Sequence, residues 1–256
     1  MKKLSFVGLL SVCTLLLTSC LEGGSNEQSR SGVPGIVRLD MKLMKMVIDA
    51  PDFYPFAFYA SNMPTDANDG DCILFGYSVN YSDAINANYQ TTGLIEGNLT
   101  AFSLLDQYPV QPAFIDTTQL LEKEQPIAYS VAANGGWLYL SGKLFLASEF
   151  KQKTEQKTNW LLYYHPDLPT QEIEGKKVYS LFLRATLQAE GKTPEISGSV
   201  INAFDAKRFF DAISNMEKSQ GNKEAYFQIN HISEIKEDST FSWKQPEVLT
   251  LTISNE

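Results

Sequence analysis

The segment from Asp66 to Asp71 holds the densest group of oxygen ligands in this sequence. Its spacing departs from an EF-hand loop, because Gly70 comes one position early and Tyr77 stands where a bidentate Glu is required. A hairpin turn explains the same residues, since Asp-Gly tolerates positive φ. The sequence favours the turn and keeps Ca²⁺ as an alternative; no other cofactor is predicted. The candidate calcium ligands are Asp66, Asn68, Asp69 and Asp71.

Residues for acid–base or covalent catalysis are scarce. The chain has 2 His, His165 and His231, whereas a zinc site usually needs three or four His/Cys ligands. HExxH, GxSxG, GxGxxG and phosphate-loop motifs are absent. Cys72 lies in an apolar strand pattern, where its thiol should stay protonated and inert. The sequence predicts no enzyme, although a glycoside hydrolase with an unrecognised carboxylate pair stays open, because such a pair forms only in the fold.

Aromatic side chains offer a second kind of binding chemistry. Exposed Trp rings can stack on sugars, and Trp137 and Trp160 are the candidates for such glycan stacking. Most aromatic residues of a β-rich chain instead fill the core. The sequence therefore favours core positions for them and keeps a cell-surface glycan-binding module as an alternative function.

The N-terminus reads as a leader. Lys2 and Lys3 precede an apolar run to Leu17 that is shorter than the roughly 20 residues of a membrane span. The run closes with Leu17-Thr18-Ser19-Cys20, which resembles the bacterial lipobox. We therefore predict a lipoprotein signal peptide over residues 1–19 and diacylation of the Cys20 thiol.

Composition limits the partners of the mature chain. Removing the leader leaves 19 basic and 30 acidic residues, so the net charge changes from −9 to −11. This acidity argues against nucleic acid and against charge-driven binding to lipid headgroups, so acyl chains should hold the protein to the membrane. Residues 20–32 are rich in Gly, Ser and Asn and predict a flexible tether.

Hydrophobic patterning predicts a mainly β chain in two domains. Alternation between Leu39 and Ile48 changes phase near Leu43-Met44, as in a bulged, bent strand or a tight hairpin; bent first strands are common in small barrels. A single helix is predicted near 203–219, capped by Asn202 and ended by Gly221. Many short strands with one crossover helix indicate a β-sandwich in the second domain.

Two segments carry a resemblance to a known family. Asp69-Gly70-Asp71-Cys72-Ile73 and Val178–Ala185 resemble NigD-like lipoproteins of anaerobic Gram-negative bacteria. The resemblance implies an N-terminal OB-like barrel, which we place at 33–118, and a C-terminal β-sandwich, which we place at 119–256. The family's association with bacteriocin gene clusters implies an immunity-like role. Leu21 after Cys20 resembles lipoproteins sorted to the outer membrane.

These observations predict a non-enzymatic lipoprotein, anchored to the outer membrane by acyl chains on Cys20 and facing the periplasm or the cell surface. An unknown protein or peptide is the expected partner. Edge strands and the mouth of the OB-like barrel are the surfaces expected to bind it.

Overall fold

The computed structural model describes residues 26–130 and 137–253. The predicted signal peptide and Cys20 lie outside these residues. No helix in the described part of the chain is both long and apolar enough to cross a membrane.

The first domain is a barrel that closes on itself. Its strands follow the order β1-β2-β3-β5-β4, and β4 pairs back with β1. β3 and β5 run parallel, and the other neighbours are antiparallel. This is the strand order of an OB barrel, as predicted. The strands and the short helix before β5 are β1 (Glu27–Asp40), β2 (Lys45–Asp49), β3 (Ala57–Ala60), β4 (Cys72–Asn80), α1 (Tyr89–Thr92) and β5 (Leu94–Leu104).

Large side chains from alternate positions of β4 fill the barrel. Phe75 and Tyr77 point inward and pack near the ring of Phe58 from β3, with ring centroids 5.8 and 5.7 Å from it. Rings of this size leave little room for the backbone. At Gly97 of β5, a Cβ atom would lie 2.5 Å from the carbonyl oxygen of Ser78, so only glycine fits there.

The phase change in the first strand is a tight hairpin. Residues 41–44 form the turn between β1 and β2, with Met44 at φ 52°. β1 also extends further toward the N-terminus than predicted. Glu27 already pairs with Asn80 of β4, so residues 27–32 of the predicted tether belong to the barrel, and that prediction needs correction.

The second domain is built on one long sheet that bends into two layers. Its main path is β16-β15-β13-β11-β6-β14-β10-β8, with β7 and β12 on β13, β9 on β10 and β17 on β15. The strands are β6 (Gln107–Pro112), β7 (Glu124–Gln125), β8 (Tyr129–Ser130), β9 (Trp137–Leu140), β10 (Lys143–Thr154), β11 (Lys157–Tyr164), β12 (Thr170–Ile173), β13 (Lys176–Ala189), β14 (Lys192–Asp205), β15 (Glu224–Ile235), β16 (Phe241–Lys244) and β17 (Leu249–Thr252).

The two layers face each other across a shared core. Trp137 of β9 packs edge-on against Phe227 of β15, with ring centroids 5.3 Å apart. Phe150 of β10 meets Trp160 of β11 in the same geometry at 5.1 Å. These contacts confirm the predicted β-sandwich.

The domain boundary differs from the predicted one. β6 lies inside the segment predicted for the first domain, 33–118, yet it pairs in parallel with β11 and β14 of the sandwich. The boundary therefore falls between Leu104 and Gln107. Sequence patterning placed it later because proline residues punctuate the chain there, and strand pairing with distant segments leaves no local signal.

The predicted crossover helix is α2 (Lys207–Ser219), between β14 and β15. Phe209, Phe210 and Ile213 bury one face of it in the sandwich core. Gly221 at φ 82° follows its end, as expected. The predicted cap is wrong: Asn202 lies within β14, and Ala206 precedes the helix without a side-chain cap.

The domains contact each other through a small apolar cluster. Ile36 and Cys72 of the barrel pack with Phe145 and Ala203 of the sandwich. The side-chain amide of Gln107 also donates to the carbonyl of Gly70 at 3.3 Å. This contact holds one end of the barrel beside the sandwich.

Candidate functional site

Two outer strands of the sandwich, β9 and β17, lie near each other at the same edge of the two layers. β9 belongs to one layer and pairs with β10, whereas β17 belongs to the other layer and pairs with β15. Across the described ranges 26–130 and 137–253, no further strand pairs with β17. An outer strand of this kind presents backbone groups that a partner strand can bind.

A groove lies between these strands and is bounded on a third side by α2. Its volume is about 640 Å³, within the range of ligand pockets in proteins. Trp137 and Tyr139 line it from β9, and Thr250–Thr252 line it from β17. Helix α2 contributes Phe210, Asp211, Ser214, Asn215 and Lys218.

The floor of the groove is aromatic. Tyr139 packs on Phe210 with ring centroids 4.3 Å apart. Burial raises the pKa of Tyr139 to about 12, and the nearby carboxylates Asp211 and Asp205 act in the same direction. The phenol therefore stays protonated and can donate a hydrogen bond. An aromatic floor with polar walls suits an extended segment that has apolar side chains.

A smaller depression continues the groove onto the barrel. Its volume is about 260 Å³, and it shares Trp137 and Leu138 with the larger one. Arg30 and Asp52 of the barrel form its far wall, joined by an ion pair at 2.8 Å. Asp52 also accepts a hydrogen bond from the Tyr77 hydroxyl at 2.7 Å. The two depressions together form a strip, which we call the edge groove, that spans both domains.

Side chains predicted as calcium ligands form hydrogen bonds with backbone groups in and beside their turn. Asp69 accepts a hydrogen bond from the backbone N–H of Leu39, and Asp71 accepts one from that of Asn68, both at 2.8 Å. Asn68 itself donates to the carbonyl of Asp66. In the part of the chain that the structure describes, no three His, Cys, Asp or Glu side chains converge to hold a metal ion. Gly70 adopts φ 90° in this turn, as expected for Asp-Gly. The turn is not a hairpin, because it joins β3 to β4 and these strands pair with β5 and not with each other.

The surroundings of Cys72 and of the two histidines do not suit acid–base catalysis. Cys72 is fully buried, and burial raises the pKa of its thiol to about 11. His231 is also fully buried, and burial lowers its pKa to about 4. His165 accepts a hydrogen bond at Nδ1 from the backbone of Asp167 at 3.2 Å. These positions agree with structural roles for all three side chains.

The two tryptophans predicted to stack on glycans differ. Trp160 is 3% exposed and packs in the sandwich core, which is the position that the sequence favoured for most aromatic residues. Trp137 is half-buried and lies at the junction of the two depressions of the edge groove. Sequence reasoning found Trp137 but could not foresee that β9 and β17 meet around it.

The buried carboxylates are held by cations. Glu124 forms a bidentate pair with Arg184, and both side chains are almost fully buried. Glu217 accepts hydrogen bonds from Lys177, Tyr179 and Asn222. Burial opposes the charge on Glu217, but these three donors outweigh it and lower its pKa. A lowered pKa is the opposite of what a general acid for glycoside hydrolysis requires.

Comparison with known proteins identifies the first domain. Residues 24–101 match the family model described as a lipoprotein OB domain. A search of curated proteins found no match to the chain.

Several solved structures share the fold of both domains. An uncharacterized protein from Parabacteroides merdae is 22% identical, with a TM-score of 0.76, and the match covers 89% of this chain and 100% of that one. A NigD-like immunity protein from Bacteroides caccae is 10% identical, with a TM-score of 0.50, and the match covers 85% and 91%. A protein from Bacteroides fragilis provisionally described as a lipoprotein is 11% identical, with a TM-score of 0.55, covering 90% and 98%. The fold that the resemblance to NigD-like lipoproteins implied, an OB-type barrel followed by a second β domain, is thus confirmed.

Proposed function

We propose, on the premise that residues 24–101 match the model of a lipoprotein OB domain, that this protein is a non-enzymatic lipoprotein of the outer membrane. Acyl chains on Cys20 hold it there, and it binds a protein or peptide partner of the cell envelope. The similar fold of the NigD-like immunity protein supports an immunity-like form of this role. In that form, binding protects the cell from the partner.

The edge groove is the observation that carries the binding role. It combines a strand, β17, whose edge away from β15 pairs with no other strand among the described residues, with an aromatic floor and a length that reaches from α2 to the barrel. Extended peptides bind such strands through main-chain hydrogen bonds, while pockets along the strand select alternate side chains. The groove thus fits an extended segment of a partner, laid beside β17.

The hydrogen bonding of β17 shows which of its amides face outward. Thr252 lies opposite Glu224, and the next residues along in this register are Ile253 and Lys223. The backbone N–H of Ile253 donates to the carbonyl of Lys223. Inward and outward amides alternate along an antiparallel strand. The amide of Leu251 therefore faces β15, whereas those of Thr250 and Thr252 face away from it.

This alternation provides a sharp test. Thr250→Pro removes one outward donor without removing a hydrogen bond of the sheet, and proline is tolerated on outer strands. Thr250→Ala keeps the donor and is the matched control. The mature domains of each variant would be used to capture partners from outer-membrane extract, with quantitative mass spectrometry. We expect a protein captured by the unchanged chain and by Thr250→Ala to be lost with Thr250→Pro. Equal capture by all three would contradict binding at β17.

The anchor is tested separately. Mass spectrometry of protein purified from cells should show a diacylated Cys20 as the first residue. Cys20→Ser should release the protein into the soluble envelope fraction, because two acyl chains are what gives stable anchoring. Protease treatment of whole cells then distinguishes the surface from the periplasmic side. An unmodified chain, or a Cys20→Ser variant that stays in the membrane, would contradict lipid anchoring.

A further inference from the structure

A second pocket opens between the two layers of the sandwich and shares no lining residue with the larger depression of the edge groove. Its volume is about 470 Å³. We call it the amide pocket, because amide side chains dominate its lining. The residues that matter here are Tyr108, Gln152, Gln156, Trp160, Gln188 and Asn202.

Asn202 supplies a donor without an acceptor. Its side chain lies on the inner face of β14 and is 2% exposed, and its Nδ2 has no hydrogen-bond partner among the described residues. The other buried amide side chains each donate through their nitrogen: Asn86 to two carbonyls, Gln228 to Pro246 and Asn230 to Leu181. Buried polar groups are almost always paired. Because Asn202 lines the pocket and its Nδ2 lacks an acceptor, a ligand in the pocket is a candidate source of that acceptor.

An aromatic wall stands beside this donor. Tyr108 of β6 is half-buried, with its ring centroid 5.7 Å from that of Phe204. Burial raises the pKa of Tyr108, with the charge of Asp106 acting in the same direction, so its hydroxyl keeps its proton. Trp160 packs edge-on against Phe150 below it. The pocket therefore joins an apolar wall to a deep hydrogen-bond donor.

The rim adds two glutamine side chains, of which Gln156 is held by hydrogen bonds. Gln152 lies over Gly198, where a Cβ atom would come within 2.8 Å of its Nε2. Gln156 accepts a hydrogen bond from the backbone of Lys153 and donates to Gln125, both at 3.1 Å. Amides can both donate and accept, which matches hydroxyl groups in any orientation.

The charges around the pocket balance. Asp106 and Lys157 are its charged residues, one of each sign. A phosphate or a carboxylate would meet a single cation there, with a carboxylate on another side. The lining thus favours a neutral ligand over an ionic one.

We propose that the amide pocket binds a neutral sugar ring. A ring oxygen or hydroxyl of the sugar accepts the hydrogen bond of Asn202 Nδ2, the apolar face of the ring lies on Tyr108, and the rim glutamines bind the outer hydroxyls. Sugars have this combination of an apolar face and many neutral hydroxyl groups. The site is distinct from the edge groove and does not depend on the proposed partner.

The test uses free glucose, galactose, mannose and N-acetylglucosamine with residues 21–256 of the chain. Saturation-transfer NMR detects binding, and titration calorimetry measures it. We expect at least one sugar to bind and Asn202→Leu to weaken that binding by about tenfold, since the ligand loses its buried donor. Gln152→Ala, at the rim, should weaken it less and is informative even if Asn202→Leu folds poorly.

Asn230→Ala is the matched control, because Asn230 is also a buried asparagine of the sandwich but does not line the pocket. Its sugar affinity should equal that of the unchanged protein. No binding of any of the four sugars at millimolar concentration would overturn the proposal. Binding that both Asn202→Leu and Gln152→Ala leave unchanged would place the sugar elsewhere and overturn it as well.

Discussion

The barrel and the sandwich both bury apolar side chains between β-strands, but they differ in their free strand edges and in their buried polar side chains. The barrel closes on itself, so its strands leave no open edge, and its interior is filled with aromatic rings. Its buried polar side chain, Asn86, has its amide groups satisfied by Asn80 and Glu96. The sandwich has free outer strands and buries Arg184, Asn202, Glu217, Gln228, Asn230 and His231.

The two domains also differ in whether their buried polar groups are paired. Buried polar groups cost stability unless they are paired, so a domain keeps unpaired ones only where something offsets the cost. In the described residues, the unpaired buried side-chain atoms all belong to the sandwich: Asn202, Asn230 and His231. Among the described residues, the buried polar side-chain atoms that lack a hydrogen-bond partner thus lie in the sandwich and not in the barrel.

The largest expected effect comes from the buried ion pair of the sandwich. The Arg184 Nε lies 2.6 Å from Glu124 Oε1, and both side chains are at most 2% exposed. Arg184→Met should lower the free energy of unfolding by about 3–5 kcal/mol, because it leaves Glu124 charged and buried. Urea unfolding followed by tryptophan fluorescence measures this, since all 3 Trp residues lie in the sandwich.

The barrel supplies the matched control for that variant. Arg30 pairs with Asp52 at 2.8 Å, but the Arg30 side chain is 60% exposed. Arg30→Met should cost less than about 1 kcal/mol, because solvent screens the pair. Adding Glu124→Leu to Arg184→Met should recover much of the loss by removing the second charge. Because the Trp residues report on the sandwich, the two losses are compared by hydrogen exchange, which resolves the domains. Equal losses for the Arg30 and Arg184 variants would break the contrast between the domains.

The second prediction concerns acid stability. Burial lowers the pKa of His231 to about 4, against 6.5 in the unfolded chain. Below pH 6.5 the unfolded state therefore binds a proton that the folded state does not, so stability is full above that pH and falls as the pH decreases toward 4. The loss should approach about 3 kcal/mol. Urea unfolding at a series of pH values measures it.

Substitution separates this effect from that of other groups. Carboxylates with a lowered pKa, such as Glu217, lose their contribution only below their own unfolded value of 4.5. His231→Leu should flatten the stability curve between pH 4.5 and 6.5. A slope that persists in His231→Leu would assign the effect to another group.

Local patterns in the sequence predicted individual strands and the helix, but not which strands pair with each other. The apolar strand pattern around Cys72 predicted β4, and Gly221 predicted the end of α2. The position of β6 was missed because its partners, β11 and β14, lie far along the chain. The position of Asn202 before an amphipathic segment predicts a helix cap, but strand pairing extends past it to Asp205. The edge groove likewise depends on β9 and β17 meeting, which periodicity does not encode.

The third and smallest effect contrasts one glycine from each domain. At Gly97 of the barrel, an added Cβ would meet the Ser78 carbonyl oxygen at 2.5 Å, a backbone atom that cannot easily move. At Gly198 of the sandwich it would meet the end of the flexible Gln152 side chain at 2.8 Å. Gly97→Ala should therefore cost about 1–3 kcal/mol, whereas Gly198→Ala should stay within about 0.5 kcal/mol.

Hydrogen exchange resolves the two domains and so measures both variants in one experiment. Barrel amides should lose protection in Gly97→Ala, and sandwich amides should keep theirs in Gly198→Ala. Because the new methyl group displaces Gln152 from the rim of the amide pocket, Gly198→Ala should still weaken sugar binding. In the barrel, the added methyl group would press against backbone that cannot move. In the sandwich, it would only displace the Gln152 side chain. Comparable losses of protection in the two variants would contradict that distinction.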